Sequence, residues 1–392
     1  MTRKISESLI YIGVDDTTID IFESQYPVPE GMSYNSYIIV DEKIAVFDTA
    51  DSRKGKEWLA NLEEGLAGRT PDYLIVHHME PDHSAMIAEA VAKYPSVKVV
   101  ASDKAIKMMY QFFDEEFKAE TIAVKGSDTI SLGNHTLTFM MAPMVHWPEV
   151  MMTYVPEIKT VFSADGFGKF GALCKCGFTN EEDTDWACEA RRYYFNICGK
   201  YGAPVQNVLK SLAVMDVARV CPLHGPILVS DLGYFVNLYD IWSRYGVESE
   251  GVVVCHASIH GGTATVAETV GKMLDDKGQK VVMWDLCRAD IAEVMEDVFR
   301  YGKLILAASS YDSGIFPPMH ALLYQMKIKA CQNKKVGLIE NGSWAPTAGG
   351  VMKCMLGELK NMEIVDPMVT ILSRMKQSDL PKLEAMVDAV IA

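Results

Sequence analysis

Residues 73–84 read YLIVHHMEPDHS. An apolar run containing β-branched residues ends at His77-His78 and gives way to a dense set of polar groups. The run predicts a buried strand. The following SAMIAEAVAKYP, at 84–95, has apolar residues at helical spacing and predicts a helix capped by Ser84 or Asp82. Between strand and helix stand His78, Glu80, Asp82 and His83. All are potential metal ligands, placed where a rigid strand end fixes their Cβ vectors.

Outward from this stretch the strand-rich pattern continues. NSYIIVDEKIAVFDTA, at 35–50, predicts two strands joined at Asp41-Glu42. Further strands are predicted at 97–102, 136–143, 151–156 and 160–165, and helices at 183–200 and 203–217. Three polar residues repeat the strand-end placement: His146 in APMVHWPEV, Asp165 in VFSADGFG and His224 in CPLHGP. Imidazoles and carboxylates without a thiolate suit iron, zinc or manganese. The set exceeds what one tetrahedral zinc needs, and a two-metal site with a bridging carboxylate accounts for all of it. His77 reads as a neighbour of the site and His135 as a turn residue.

The pattern changes after about residue 240. IWSRYGVESEG, at 241–251, reads as a linker, and residues 251–392 then alternate five strands with five helices. That predicts an open parallel sheet covered on both faces. The first strand-to-helix loop, in HASIHGGTATVAE (256–268), is not a GxGxxG fingerprint and contains no Lys. A Ser/Gly/Thr-rich loop at a helix N-terminus suits a terminal phosphate. Two more loops, SSYDSGIFPP (309–318) and ENGSWAPTAGG (340–350), follow the third and fourth strands.

Bulk properties narrow the class. A net charge of -15 disfavours nucleic acid as a partner. No apolar run is long enough for a membrane span, and the N-terminus lacks a signal-peptide core. Nine cysteines, without a CxxC pair, read as reduced thiols of a cytoplasmic protein rather than a disulfide framework.

The order His78-x-Glu80-x-Asp82-His83, then His146, Asp165 and His224, resembles the metallo-β-lactamase fold. Glu80, where hydrolases of that fold usually carry His, is similar to the flavodiiron proteins. The loop at 258–263 resembles the phosphate loop of flavodoxins, so the resemblance covers essentially the whole chain. It implies a metallo-β-lactamase-like αββα sandwich over 1–248 and a flavodoxin-like, doubly wound, parallel five-stranded sheet over 249–392. It also implies two iron ions, one held by His78, Glu80 and His146, the other by Asp82, His83 and His224, with Asp165 bridging. Tyr193 and Tyr194, in RRYYFNI, match an aromatic pair near the irons, and the resemblance implies that one of them donates a proton or hydrogen bond to the bound gas. FMN is the implied flavin. Ser258, Ile259, His260, Gly261, Gly262 and Thr263 would surround its phosphate. Ser309, Ser310, Tyr311, Asp312, Ser313 and Gly314, with Gly342, Ser343, Trp344 and Ala345, would flank its ring, Trp344 stacking on it. The implied activity is reduction of dioxygen to water, of nitric oxide to nitrous oxide, or both. Electrons would come from an external donor, rubredoxin or a reduced deazaflavin, because neither a rubredoxin nor a flavin-reductase segment follows. The implied assembly is a head-to-tail homodimer or a dimer of dimers. Two alternatives compete with this reading: a zinc hydrolase with a flavodoxin-like electron-carrier domain, and a flavin carrier whose metal site is idle.

Overall fold

The computed structural model describes residues 2–114 and 117–392. The chain divides into two compact units. One comprises the chain up to Tyr194 with Ala203–Tyr239; the other comprises Phe195–Gly202 with Asp240–Ala392. The boundary read at 248/249 thus falls inside the second unit. No helix among the described residues is long and apolar enough to cross a membrane.

The first unit pairs two sheets. One runs Arg3–Lys4, Leu9–Tyr11, Tyr37–Val40, Ile44–Phe47, Tyr73–Val76, Lys98–Ser102, Glu120–Val124. The hairpin read at 35–50 is present, with Tyr37 opposite Phe47 and Val40 opposite Ile44. From Ile44–Phe47 onward neighbours are parallel, because each return passes through helices such as Gly55–Leu66 and Ile87–Lys93. The other sheet runs Thr129–Ser131, Thr136–Met141, Met151–Val155, Thr160–Phe162, Arg219–Cys221. Their apolar faces share one core: Phe47 stacks on Phe162 at 4.0 Å, and Ile39, Ile75 and Val100 are buried with Phe139, Met151 and Cys221. This is the αββα sandwich expected from the sequence.

Two local expectations fail for physical reasons. The helix read over 84–95 is two helices, Pro81–Ser84 and Ile87–Lys93. Neither Ser84 nor Asp82 caps. Glu80 is the N-cap position of the first turn but makes no side-chain cap bond, because its carboxylate faces His78 and His146. Ser84 instead donates to the Met79 carbonyl at 2.8 Å. The linker read from 241 is helix as far as Ser243, in Leu232–Ser243. Its buried Phe235, Leu238, Tyr239 and Trp242 fall at helical spacing.

In the second unit the sheet order is Val281–Asp285, Ser249–Ala257, Tyr301–Tyr311, Lys334–Asn341, Met362–Ile364, all neighbours parallel. Numbered along the chain this is 2-1-3-4-5, the flavodoxin-like doubly wound order. The fifth position is split: Val369–Ile371 also pairs with Lys334–Asn341, beside the C-terminal half of that strand. Residues 195–202 belong to this unit through Phe195, which stacks on Phe299 at 4.1 Å, and Asn196, which donates to the Ala292 carbonyl at 3.1 Å.

Candidate metal centre

Every residue read as a ligand emerges from a strand end or the turn that follows it. Tyr73–Val76 delivers His78 and Glu80, and the turn Pro81–Ser84 delivers Asp82 and His83. Thr49 holds that turn, donating to the His83 carbonyl through its amide at 2.8 Å and its hydroxyl at 2.7 Å. His146, Asp165 and His224 follow Thr136–Met141, Thr160–Phe162 and Arg219–Cys221. Met144 (φ 66°) and Ala164 (φ 50°) adopt left-handed backbone beside two of the ligands. That conformation costs about 1–3 kcal/mol per residue and persists where the surroundings impose it.

The donors form two groups, His78/Glu80/His146/Asp165 and Asp82/His83/His224. Asp165 lies between them. Its Oδ2 is 3.4 Å from His78 Nε2 and 3.1 Å from His146 Nε2, and its Oδ1 is 3.2 Å from His83 Nε2 and 3.8 Å from His224 Nε2. Glu80 Oε2 is 3.2 Å from His78 Nε2 and 3.1 Å from His146 Nε2. Asp82 Oδ2 is 3.4 Å from His83 Nε2 and 3.2 Å from His224 Nε2. The two nitrogens of His83 and His224 are 3.0 Å apart.

These spacings test the fit of a cation. Donors about 2.1 Å from a shared ion are about 3.0 Å apart at an octahedral edge and about 3.4 Å apart at a tetrahedral one. The oxygens of Asp82 and Asp165 are buried without hydrogen-bond partners, a costly arrangement unless a cation takes their lone pairs. The tautomers agree. His224 Nδ1 donates to the Ser33 carbonyl at 2.7 Å, and His78 Nδ1 donates to Glu149 Oε1 at 2.8 Å. Both Nε2 lone pairs therefore face the cluster.

The carboxylates favour the protonated forms of His78, His83 and His146. Burial alone would lower the His78 and His146 pKa values. For His78 the Asp165, Glu149 and Glu80 carboxylates outweigh it and carry the pKa well above the ordinary range. For His146, Asp165 and Glu80 push it up to about 9. Burial opposes ionisation of Asp165 and Glu80, yet the imidazolium partners hold both well below the usual carboxylate range. A site that gathers protons this way exchanges them for a cation.

His77 is turned away, as read. Its Nδ1 meets Asp48 at 2.5 Å and its Nε2 meets Thr153 at 2.7 Å. Of the paired tyrosines, Tyr193 sets its ring edge-on to His224, 5.6 Å between centroids, whereas Tyr194 meets Tyr239 at 5.1 Å. Successive helix positions diverge by about 100°, so the two rings part. Reading the sequence missed Glu149, three residues after His146. A lone acid inside PMVHWPEVMM was the signal. It also missed Ser33 and Asn35, which hold the His224 loop.

In the second unit the residues read as flavin contacts gather at the C-terminal edge of the sheet. Gly261 (φ 85°) ends the first loop, and Thr263 is buried with its hydroxyl 2.9 Å from that of Ser309. Ser258 Oγ is buried without a hydrogen-bond partner, as a phosphate cradle at a helix N-terminus would leave it. Ile259 and His260 are exposed. Ser310 is occupied: its Oγ accepts from the amides of Thr347 and Ala348 at 2.8 and 3.1 Å. Asp312 and Ser313 form the tight turn between Tyr301–Tyr311 and Gly314–Ile315. Tyr311 is 46% and Trp344 91% exposed. Gly342 lies against Pro346, Ala345 is exposed, and Ser343 Oγ is 3.0 Å from Ser373 Oγ. Ser373 brings in a fourth segment that the sequence reading omitted.

A family described as "ODP family beta lactamase" matches residues 32–225. The chain is 27% identical to the anaerobic nitric oxide reductase flavorubredoxin of Pectobacterium atrosepticum, over 88% of this chain and 68% of that one. Its structure is similar to that of the flavodiiron protein from Giardia intestinalis, with TM-score 0.94 and 23% identity over 100% of this chain and 96% of the other. It is also similar to rubredoxin oxygen:oxidoreductase from Desulfovibrio gigas, with TM-score 0.92 and 23% identity over 100% and 98%.

Proposed function

From the premise that the chain belongs to the flavodiiron protein family, we propose that it is an oxidoreductase reducing dioxygen, nitric oxide or both at a pair of irons, with FMN relaying electrons. Asp165 carries the reading: one buried carboxylate directs an oxygen to each of two His/carboxylate groups. His78, Glu80 and His146 would hold one iron, and Asp82, His83 and His224 the other. Once bound, the irons and FMN supply the electrons that either gas consumes.

The chain's own residues do the rest. Glu149 and the Ser33 carbonyl fix the imidazoles of His78 and His224. Phe22, Tyr34 and Tyr193 pack edges against the His224 ring at 5.5, 6.0 and 5.6 Å and exclude water there. Glu80, whose side chain is 16% exposed, marks the open side. Tyr193, whose ring packs edge-on against His224, would be the phenol that donates to the reacting gas. In the second unit Ser258 and Gly261–Thr263 would take the FMN phosphate, and Tyr311 and Trp344 would flank the ring. The donor would be a carrier of the rubredoxin type, or a reduced deazaflavin. The working assembly would be a head-to-tail homodimer, or a dimer of dimers, in the cytoplasm.

The test is anaerobic reduction of the iron- and FMN-loaded protein followed by each gas in turn. Two irons per chain, with reoxidation of the flavin by at least one gas, is expected. A solitary zinc with neither gas consumed overturns the proposal.

A further inference from the structure

We propose that the two halves of the centre bind their ions unequally, with Glu149 making the His78–Glu80–His146 half the tighter; this rests on reading the cluster as a two-metal site. The groups that would touch the ions are balanced. Each half offers two imidazoles and one carboxylate of its own, and Asp165 is shared.

The asymmetry lies one layer out. Glu149 is buried, and its Oε1 accepts from His78 Nδ1 at 2.8 Å and from the Met79 amide at 3.0 Å. Its Oε2 has no hydrogen-bond partner, so His78 and Met79 alone share the charge. A carboxylate on the far nitrogen raises the basicity of a ligating imidazole. It also sets a buried negative charge one ring's width from the ion, where little solvent screens it. Among the described residues the other half has no counterpart. His224 Nδ1 donates to the neutral Ser33 carbonyl, and His83 Nδ1 is buried without a partner. The ion between Asp82, His83 and His224 is therefore the one that arrives second and leaves first. Glu149 is a positioning residue here: it acts through His78.

Glu149→Gln separates charge from alignment, because the amide oxygen can still accept both hydrogen bonds. The full-length chain, stripped of metal, is titrated with Co²⁺ against a chromophoric chelator. Wild type is expected to take up two ions in separate steps. In Glu149→Gln the tighter step weakens about 10–100-fold while the weaker step stays put. A chelator chase of the iron-loaded wild type, which needs no variant, should pass through a one-iron chain. If Glu149→Gln leaves both steps unchanged or weakens only the weaker one, or if both wild-type irons leave together, the inequality fails and the two-metal reading stands. If no Co²⁺ is taken up, both fall.

Discussion

At Gly262 a side chain has no room. A Cβ there would lie 2.7 Å from the Ser373 carbonyl oxygen, and that oxygen is itself fixed by Asn341 Nδ2 at 3.1 Å. Gly262→Ala must push Ser373 away from the loop read as the phosphate cradle. Overpacking of this kind costs about 1–3 kcal/mol. FMN affinity, measured by quenching of flavin fluorescence, should fall by the matching factor, about 5- to 150-fold, with the iron content unchanged. The prediction also marks where the sequence was legible. His78, Glu80, Asp82, His83, His146, Asp165 and His224 stood out because charged groups at strand ends interrupt apolar runs. Ser373 did not, because its role is a backbone carbonyl and composition says nothing about where a carbonyl points. Glu149 was hidden differently. One acid near His146 reads as surface until the fold buries it behind His78.

Local elements were legible where one force decided them. The hairpin at 35–50 and the alternation after 251 follow hydrophobic period alone. The turn at 81–84 does not, because the chain breaks its helix to direct Asp82 and His83 into the cluster. A second element with a hidden task is the strand pair Met32–Tyr34 and Tyr37–Val40. Alternate residues of this stretch grip the loop that carries His224. Ser33 accepts from the His224 ring and from the Gly225 amide at 2.8 Å. Asn35 Nδ2 donates to the Pro222 and Gly225 carbonyls at 2.9 and 2.8 Å, and Tyr37 donates to Pro222 at 2.8 Å. Asn35→Ala strands the buried Gly225 carbonyl at about 1–3 kcal/mol and leaves the Pro222 carbonyl with Tyr37 alone. Its denaturant midpoint should drop accordingly, and it should purify with fewer than two irons because the His224 half loosens. An unchanged iron content would detach this clamp from the centre.

Over the whole molecule, stability on the alkaline side reflects opposing buried groups. Lys334 is buried, and its Nζ donates to the Phe299 and Tyr301 carbonyls at 2.8 and 2.7 Å. Burial pushes its pKa down to about 8 from 10.5. Between those values the unfolded chain holds a proton that the folded chain has lost, so this group makes stability rise with pH across that window; below it the slope is zero and the cost of the buried ammonium is fully present. Three thiols, Cys221 and Cys331 buried and Cys176 half-buried, work the other way. Burial raises Cys176 and Cys331 to about 11 and Cys221 to about 12, from 9.0. The folded state then keeps protons that the unfolded state releases, and stability falls once pH passes the ordinary thiol value. For the iron-loaded protein, in which the cation replaces the protons that His78 and His146 otherwise keep, the signs together call for a shallow maximum: a rise from pH 8 driven by Lys334, then a decline above pH 9 as the thiols outnumber it. Lys334→Met abandons the two carbonyls and lowers stability at every pH, so the slope is the informative quantity. Thermal unfolding from pH 7 to pH 10 should show the rise in the wild type and its absence in the variant, with the decline common to both. A rise that survives in Lys334→Met would assign it to another group and leave the ammonium charged in its buried position.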